Sequence, residues 1–501
     1  MSTSRYLEVE RKFDVGESTS SPSFAGIPDV CRVQRVPTQH LDAVYYDTSA
    51  RDLASNRITL RRRTGGDDAG WHLKLPAGPD ARTEVRAPLG ATDGDNEDGD
   101  QEVPSELLDV VLAIVRDRPV HPVARISTTR QIHQLYGAGD AALAEFCDDQ
   151  VTASRVATSD APEVEQRWRE WELELTQPAA NTELMDKLSD RLLGAGAAPA
   201  GHGSKLARVL GTTPKDLAAR TADPLHRGVA EQLEKLLVWD RAVRADADDA
   251  VHQMRVTTRK IRSLLQASPD SFGLSDDTLL DELRELANVL GEARDAEVLA
   301  ERYRVALGKL PPKLARGPIQ DRLVDGAEQR YQTGVRHSLA AMRSPRYFRL
   351  LDALEALVAA TPGQASAPVA VTAAGKKVRK AAKAARRADD ADLDEAMHRI
   401  RKRAKRLRYT AAAAGEKKVS KRAKKVQSLL GDHQDCVVSR AHLIEQADAA
   451  HAASEDAFTY GLLHQQDSDL ARECRDQLKP ALRKLFKALR KQKRRGGRAG
   501  L

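Results

Sequence analysis

Cysteine is scarce, aromatic side chains make up only 4% of the 501 residues, and no apolar run approaches the ~18 residues of a membrane span. Cys31, Cys147, Cys436 and Cys474 stand far apart with no C-x-x-C pair. That spacing fits reduced thiols and excludes a disulfide framework or a zinc-finger arrangement. Few aromatics means few platforms on which single-stranded nucleic acid could stack. The first eight residues, Met1 to Glu8, lack the apolar core of a signal peptide, so a cytoplasmic location without membrane contact is expected.

Charge is what the sequence has in quantity. Charged residues make up 31% of the chain, mean hydropathy is −0.52, and 80 Lys and Arg against 73 Asp and Glu leave a net +7. The excess is unevenly placed. Residues 1–215 hold 25 basic and 34 acidic side chains, a balance of −9, whereas residues 216–501 hold 55 and 39, a balance of +16. Two halves of opposite sign predict two domains with different electrostatic tasks, the basic one suited to a polyanion.

The patterning divides at the same place. Short runs bounded by Gly, Pro and Asp predict strands at Tyr6–Phe13, Val30–Tyr46, Arg57–Arg63, Trp71–Leu75, Ala81–Leu89, Val123–Leu135, Leu143–Val151 and Arg169–Thr176. Such a series predicts an antiparallel β-barrel or tunnel, with a helix at Pro104–Arg116 and a solvated acidic loop at Gly90–Gly99. From Leu225 the period becomes helical. The fold expected is therefore α+β and multidomain: a barrel with flanking helices over 1–211, a linker over 212–224, an all-α bundle over 225–495 and a basic tail over 496–501.

The helical half repeats itself. Val251-His252-Gln-Met-Arg255-Val-Thr-Thr-Arg259-Lys260-Ile-Arg262 is echoed by Met397-His398-Arg-Ile-Arg401-Lys402-Arg-Ala-Lys405-Arg406-Leu-Arg408. Each is followed by a second echo, Leu290-Gly291 to Asp295 and Leu430-Gly431 to Asp435, so a duplicated helical bundle is expected. His252, Arg255, Arg259 and Arg262 share offsets with His398, Arg401, Lys405 and Arg408, which puts each set on one helical face. Val251, Met254, Ile261 and Leu265, or Met397, Ile400, Ala404 and Leu407, form the opposite apolar stripe. A lone basic helix is usually a solvated face. The same His-led spacing in two distant helices instead points to an extended anion that offsets the repulsion.

These segments resemble the CHAD family over about Leu225–Arg495, on the two His-led helices, Tyr409, and the Gly291/Asp295 and Gly431/Asp435 positions, read here as turns. The resemblance implies that inorganic polyphosphate is held by His252, Arg255, Arg259, Lys260, Arg262, His398, Arg401, Lys402, Arg406, Lys405 and Arg408. Arginine forks suit phosphate oxygens. Nucleic acid is the competing polyanion and is expected to bind only weakly and without sequence preference.

In the first half, Glu8-Val-Glu10-Arg-Lys12 alternates on a strand, sending Glu8, Glu10 and Lys12 to one face. Glu172 and Glu174 repeat the alternation, and bases recur at period two in Arg61 and Arg63, Lys74 with His72, and Arg82 and Arg86 about Glu84. A closed sheet lined by both signs is a polar tunnel, in which carboxylates hold hard cations and bases hold phosphate. The ExExK motif resembles the CYTH, or triphosphate-tunnel metalloenzyme, family over about Arg5–Leu210. The resemblance implies Mg²⁺ or Mn²⁺ on Glu8, Glu10, Glu172 and Glu174, and triphosphate on Lys12, Arg61, Arg63, Lys74, Arg125 and Lys205, with Arg86 and Glu84 as wall residues. Strand parity favours Asp149, with Glu145, over Asp148 as a further acid, and the double Asp leaves this open.

The reaction implied is metal-dependent hydrolysis of a terminal phosphoanhydride in tripolyphosphate or short polyphosphate, with Glu8, Glu10 and Lys12 central. There is no Ser-His-Asp set, no paired cysteine nucleophile and no Walker loop, so a phosphoenzyme is not expected. Other readings are a non-catalytic polyphosphate binder that targets polyphosphate granules, an adenylate cyclase, and a thiamine triphosphatase. The sequence leaves the oligomeric state open.

Overall fold

The computed structural model describes residues 4–90, 102–156, 164–176, 182–215, 223–266, 272–274, 277–360 and 371–496. Most of the expected acidic loop, the centre of the expected linker, the Thr361–Pro368 break and the tail beyond Gly496 lie outside these residues. The chain divides into two compact units, Met1–Lys215 and Asp216–Leu501. No helix among the described residues is long and apolar enough to cross a membrane.

In the first unit the strands are β1 (Ser4–Val15), β2 (Arg32–Arg35), β3 (Gln39–Asp47), β4 (Thr59–Thr64), β5 (Gly70–Pro76), β6 (Ala81–Ala87), β7 (His121–Tyr136), β8 (Ala142–Arg155), β9 (Glu165–Leu175) and β10 (Ala198–Pro199). Eight of them run in the order β1-β6-β5-β4-β3-β7-β8-β9, and β9 pairs back onto β1, so the antiparallel sheet closes into a barrel. β2 adds to β7, and β10 to β1. The single strand expected over Val30–Tyr46 is two strands, interrupted at Pro37, whose ring removes a ladder donor.

Five helices accompany the barrel: α1 (Asp52–Ser55), α2 (Ser105–Val110), α3 (Leu112–Val115), α4 (Thr182–Gly194) and α5 (Lys205–Leu210). Leu184, Met185, Leu188 and Leu192 of α4 cover the outward Phe13, Phe146, Trp171 and Leu173. Each fully buried leucine there contributes roughly 1.5–3 kcal/mol. Helix α5 does something different. Ser204 caps it by accepting from the Ala207 N–H at 3.1 Å, and Leu206, Val209 and Leu210 pack on the inward-facing Tyr45, Ile126, Val151 and Trp168. It fills one end of the barrel.

The second unit holds α6 (Pro224–Arg244), α7 (Ala250–Leu265), α8 (Thr278–Gly308), α9 (Gly326–Met342), α10 (Pro345–Ala359), α11 (Val371–Ala385), α12 (Asp390–Ala413), α13 (Lys417–Ala452) and α14 (Phe458–Gly496). Asp223 caps α6, accepting from the Leu225 and His226 N–H groups, with Pro224 at the first helical position. The sequence echo is an architectural one: α6-α7-α8-α9 and α11-α12-α13-α14 each pack in chain order. Val251, Met254, Ile261 and Leu265 are buried in one copy, and Met397, Ile400, Ala404 and Leu407 in the other.

Gly291 and Gly431 are not in turns, as the sequence reading had them. They lie inside α8 and α13. At Gly291 the reason is close approach. A Cβ there would stand 3.2 Å from Arg255 Nε, tighter than most real Cβ contacts, so the glycine lets the motif's first arginine lie against the next helix, where Arg255 Nε donates to the Ala287 carbonyl at 3.1 Å. At Gly431 a Cβ would be in ordinary contact, 3.7 Å from Arg401 Nη2.

Candidate active site and candidate anion-binding cluster

Alternation on the barrel strands turns one residue in two inward, and the inward set encloses a cavity of about 320 Å³. Glu8, Glu10, Lys12, Arg61, Arg63, Lys74, Arg86, Glu172, Glu174 and Lys205 all line it. Register brings acids from different strands together. Glu10 is the cross-strand partner of Glu174, and Glu174 in turn of Glu145, so three carboxylates stand in a row across β1, β9 and β8. Like charges directly opposite repel. Burial, with Glu8, Glu10 and Glu145 nearby, pushes the Glu174 carboxyl up to about 7. Burial acts on Glu10 in the same sense, but Lys12 and Lys74 outweigh it and hold that carboxyl at about 2.

Deeper toward α5 the acids are fully matched. Asp149, Glu170 and Glu172 lie within 4.8 Å of one another, a grouping able to hold a metal ion. Lys205 Nζ stands among them, at 2.9, 2.7 and 2.7 Å respectively. Arg130 makes a forked contact to Asp149 at 2.8 and 2.6 Å and reaches Glu172 at 2.5 Å. Lys12 also meets Glu172. Burial alone would raise the Glu172 carboxyl, but Lys12, Lys205 and Arg130 hold it well below the usual range.

Bases gather on the adjoining strands β6, β5 and β4. Lys74 Nζ donates to Glu8 at 2.6 Å, and Arg82 stands 3.1 Å from Glu10. His72 is buried between the Glu84 carboxylate at 2.8 Å and the Asp68 carbonyl at 2.9 Å. Arg61 donates to the Tyr45 hydroxyl at 3.2 Å, while its Nε and that of Arg63 are buried without a hydrogen-bond partner. Burial, then Arg61 and Arg130, lower the Arg63 guanidinium to about 9.

One expectation needs correcting. Arg125 does not reach the cavity: it is exposed on the outer face of β7, paired with Val44 and Ser154. The inward parity of β7 belongs to Ile126, Thr128, Arg130, Ile132 and Gln134. On β8 the double Asp is divided by the same rule. Asp149 is interior, and Asp148 turns out to Arg169 and Ser21, at 2.6 and 2.7 Å. Arg130, Glu170 and Tyr45 are the lining or contacting residues the sequence reading left out, while Glu145, favoured there by parity, does line the cavity. Glu170 continues the alternation of Glu172 and Glu174 and was open to inference on that ground.

In the bundle, α7 and α12 bring their basic faces to one cluster. Burial and then Arg255 and Arg401 lower the Arg259 guanidinium to about 10. Burial and then Arg259, Arg401 and Arg255 lower the Lys405 amine to about 6. Both histidines are held below their ordinary value, by burial and then by Arg294 at His252 and Lys402 at His398. His398 Nδ1 has Gln434 Oε1 at 2.7 Å, whereas His252 Nδ1 is buried without a partner. Arg408 donates to Gln427 at 3.2 Å beside Tyr409, and Lys260 feels Arg408. Arg262 and Arg406 sit apart from this centre: Arg262 faces Arg284, Asp281 and Asp277, and Arg406 reaches the Gln266 carbonyl at the end of α7. Lys402 is exposed.

Comparison with known proteins follows the same division. The sequence matches the CYTH domain over residues 7–196 and the CHAD domain over residues 227–444. Uncharacterized proteins of Mycobacterium tuberculosis, from strains CDC 1551 and H37Rv, are 65% identical over 508 residues, covering 97% of this chain and 98% of theirs. Among solved structures, the CHAD domain from the plant Ricinus communis is 25% identical at a TM-score of 0.42, over 53% of this chain and 91% of its own. A putative adenylate cyclase from Bacillus halodurans is 18% identical at a TM-score of 0.25, over 41% of this chain and 97% of its own. Neither likeness is close enough to add to the domain matches. One match falls in each unit, and the chain therefore belongs to both families, a CYTH domain followed by a CHAD domain.

Proposed function

We propose that the barrel is a metal-dependent triphosphatase acting on tripolyphosphate or short polyphosphate, and that the α7/α12 cluster binds inorganic polyphosphate. The observation that carries the reading is the mixed charge of the cavity wall. The carboxylate row Glu10, Glu174 and Glu145 faces a cavity that Arg61, Arg63, Lys74 and Arg82 also enter.

The donor set fits a hard cation, since every candidate ligand is a carboxylate oxygen. Glu8, Glu10, Glu174 and Glu145 would hold it. Asp149, Glu170 and Glu172 form a second carboxylate group, paired here with Lys205, Arg130 and Lys12. Mg²⁺ or Mn²⁺ there would offset phosphate charge and lower the pKa of an attacking water. The chain's own contribution is binding and orientation. Arg61 and Arg63 bring guanidinium groups into the cavity to face phosphate oxygens, and Lys12 and Lys74 add point charge. The low-dielectric wall strengthens these contacts as charge moves toward the leaving phosphate. Among the described residues, Tyr45 is the one aromatic lining the cavity, which offers little to a nucleobase and disfavours cyclase or thiamine-directed readings.

The test is phosphate release from tripolyphosphate by the purified chain with each metal. Glu10→Gln should lower turnover by at least the roughly 10–100-fold that loss of an outer-shell partner costs a metal site. Turnover unaltered by both Glu10→Gln and Lys12→Ala would refute the assignment. Polymer binding by the bundle predicts association with polyphosphate granules in cells, lost on Arg255→Glu with Arg259→Glu.

A further inference from the structure

The two helical repeats share a fold but not a charge. Residues 223–360 carry 21 basic and 22 acidic side chains, whereas residues 371–496 carry 32 and 16. Aligning Gly291 with Gly431 sets Asp281, Glu282 and Glu285 of α8 against Lys421, Arg422 and Lys425 of α13. The buried positions between them keep their character, Leu283 and Leu286 against Ala423 and Val426. The architecture therefore does not require the lysines. The first repeat builds the same bundle with mixed charge.

The excess is concentrated on α11, α14 and the start of α13. These helices share one core with α12, and α14 packs against both α11 and α13. On α11, Lys376, Lys377, Arg379, Lys380 and Lys383 are exposed, and none forms an ion pair with a described residue. α11 is not a loose arm, because Val378 is fully buried and a Cβ on Gly375 would stand 2.9 Å from Leu489. Its cations spread over roughly half the helix circumference. They form a broad convex face, unlike the half-buried arginine and histidine cluster of α7 and α12.

We infer that this lysine face docks the phosphate backbone of duplex nucleic acid. Over the ~22 Å length of α11, a duplex presents about 13 phosphate charges, a wide and rigid array. Dispersed lysines are point charges that suit such an array without reading sequence. A bilayer is the poorer match, since interfacial helices bury an apolar face in lipid and α11 spends that face on the protein core. Single strands are disfavoured too. Phe486 is the aromatic beside α11, and Arg379 lies over it, 5.1 Å from its centroid.

The test uses the full chain and a labelled mixed-sequence DNA duplex of about 25 base pairs, followed by anisotropy at ~50 and ~150 mM salt. Replacing Lys376, Lys380 and Lys383 together by Glu should weaken duplex binding at least tenfold and flatten its salt dependence. Affinity for long-chain polyphosphate should stay within twofold. The Gln version of the same triple should fall between, which separates charge from misfolding. Absence of duplex binding by the unaltered chain would overturn the inference. So would duplex binding that survives the triple but is lost on Arg255→Glu with Arg259→Glu. Parallel loss of polyphosphate and duplex in the triple would mean one shared surface, and loss of binding to phosphatidylserine vesicles with duplex binding intact would mean a membrane. Either result also overturns it. Failure of the unaltered chain to bind polyphosphate would count against the α7/α12 reading and not against this one.

Discussion

Arg259 and Lys405 hold the same offset in two copies of one helical motif, and after burial Arg259 is the largest influence that lowers the Lys405 amine to about 6. Near neutral pH, Lys405 in the free protein is therefore mostly uncharged. A bound polyanion would raise its pKa, so binding should take up a proton. Polyphosphate affinity should rise as pH falls from 8 toward 6, and calorimetry in buffers of different protonation enthalpy should register the uptake. Lys405→Met should reduce it, leaving the share taken up by His252 and His398, which are also held below their ordinary value. The ligand-free stability has a matching sign. An unfolded lysine titrates near ~10.4, so between pH 6 and that value the unfolded chain holds the extra proton. The Lys405 contribution to stability should therefore rise with pH across that window, measured as the unaltered chain minus Lys405→Met.

Lys205→Met should destabilise the barrel. It removes the ammonium that stands within 2.9 Å of Asp149, Glu170 and Glu172. Breaking a buried ion pair from one side costs about 3–5 kcal/mol. Thermal melts should show the loss, and Mn²⁺ should restore part of it by entering the vacated carboxylate cluster.

Arg125 and Arg130 make a matched pair of controls on one strand. Arg125→Ala, on the exposed face, should leave tripolyphosphate turnover unchanged and stability within about 0.5 kcal/mol. Arg130→Ala removes the fork on Asp149 and the contact to Glu172. Turnover should fall at least tenfold, with a lower melting temperature. Equal behaviour of the two variants would mean the strand parity is wrong.

Gly334→Ala should destabilise the first helical repeat despite the better helix former. A Cβ there would stand 2.5 Å from the Ala293 backbone nitrogen, and backbone cannot rotate away. Overpacking costs about 1–3 kcal/mol, against a propensity gain of up to ~1 kcal/mol. Chemical denaturation should show a net loss.

The barrel was legible where one face of a strand carried charge and the other did not. Glu8, Glu10 and Lys12 against Val9 and Phe13 allow a single reading, and Glu172 and Glu174 against Trp171 and Leu173 allow the same. β7 was not, because polar residues stand on both of its faces and local alternation does not say which is inside. The bundle was legible through duplication, which is a statement about the chain itself. Gly291 and Gly431 misled because glycine usually marks a turn. At Gly291 the cause is an arginine from another helix, a contact that no window of sequence contains. α4 was missed beneath the small residues that follow it, although Leu184, Leu188 and Leu192 keep helical spacing.

Helix α5 makes the barrel a blind alley. Among the described residues, Leu206, Val209 and Leu210 are seated against inward Tyr45, Val151 and Trp168 and fill that end. If the substrate is a linear polymer, it would not be reeled through the wall and out of the far side. It can only offer an end, back out, and offer an end again, so any product must leave before the shortened chain can return. Work on a long chain would then be a matter of repeated visits.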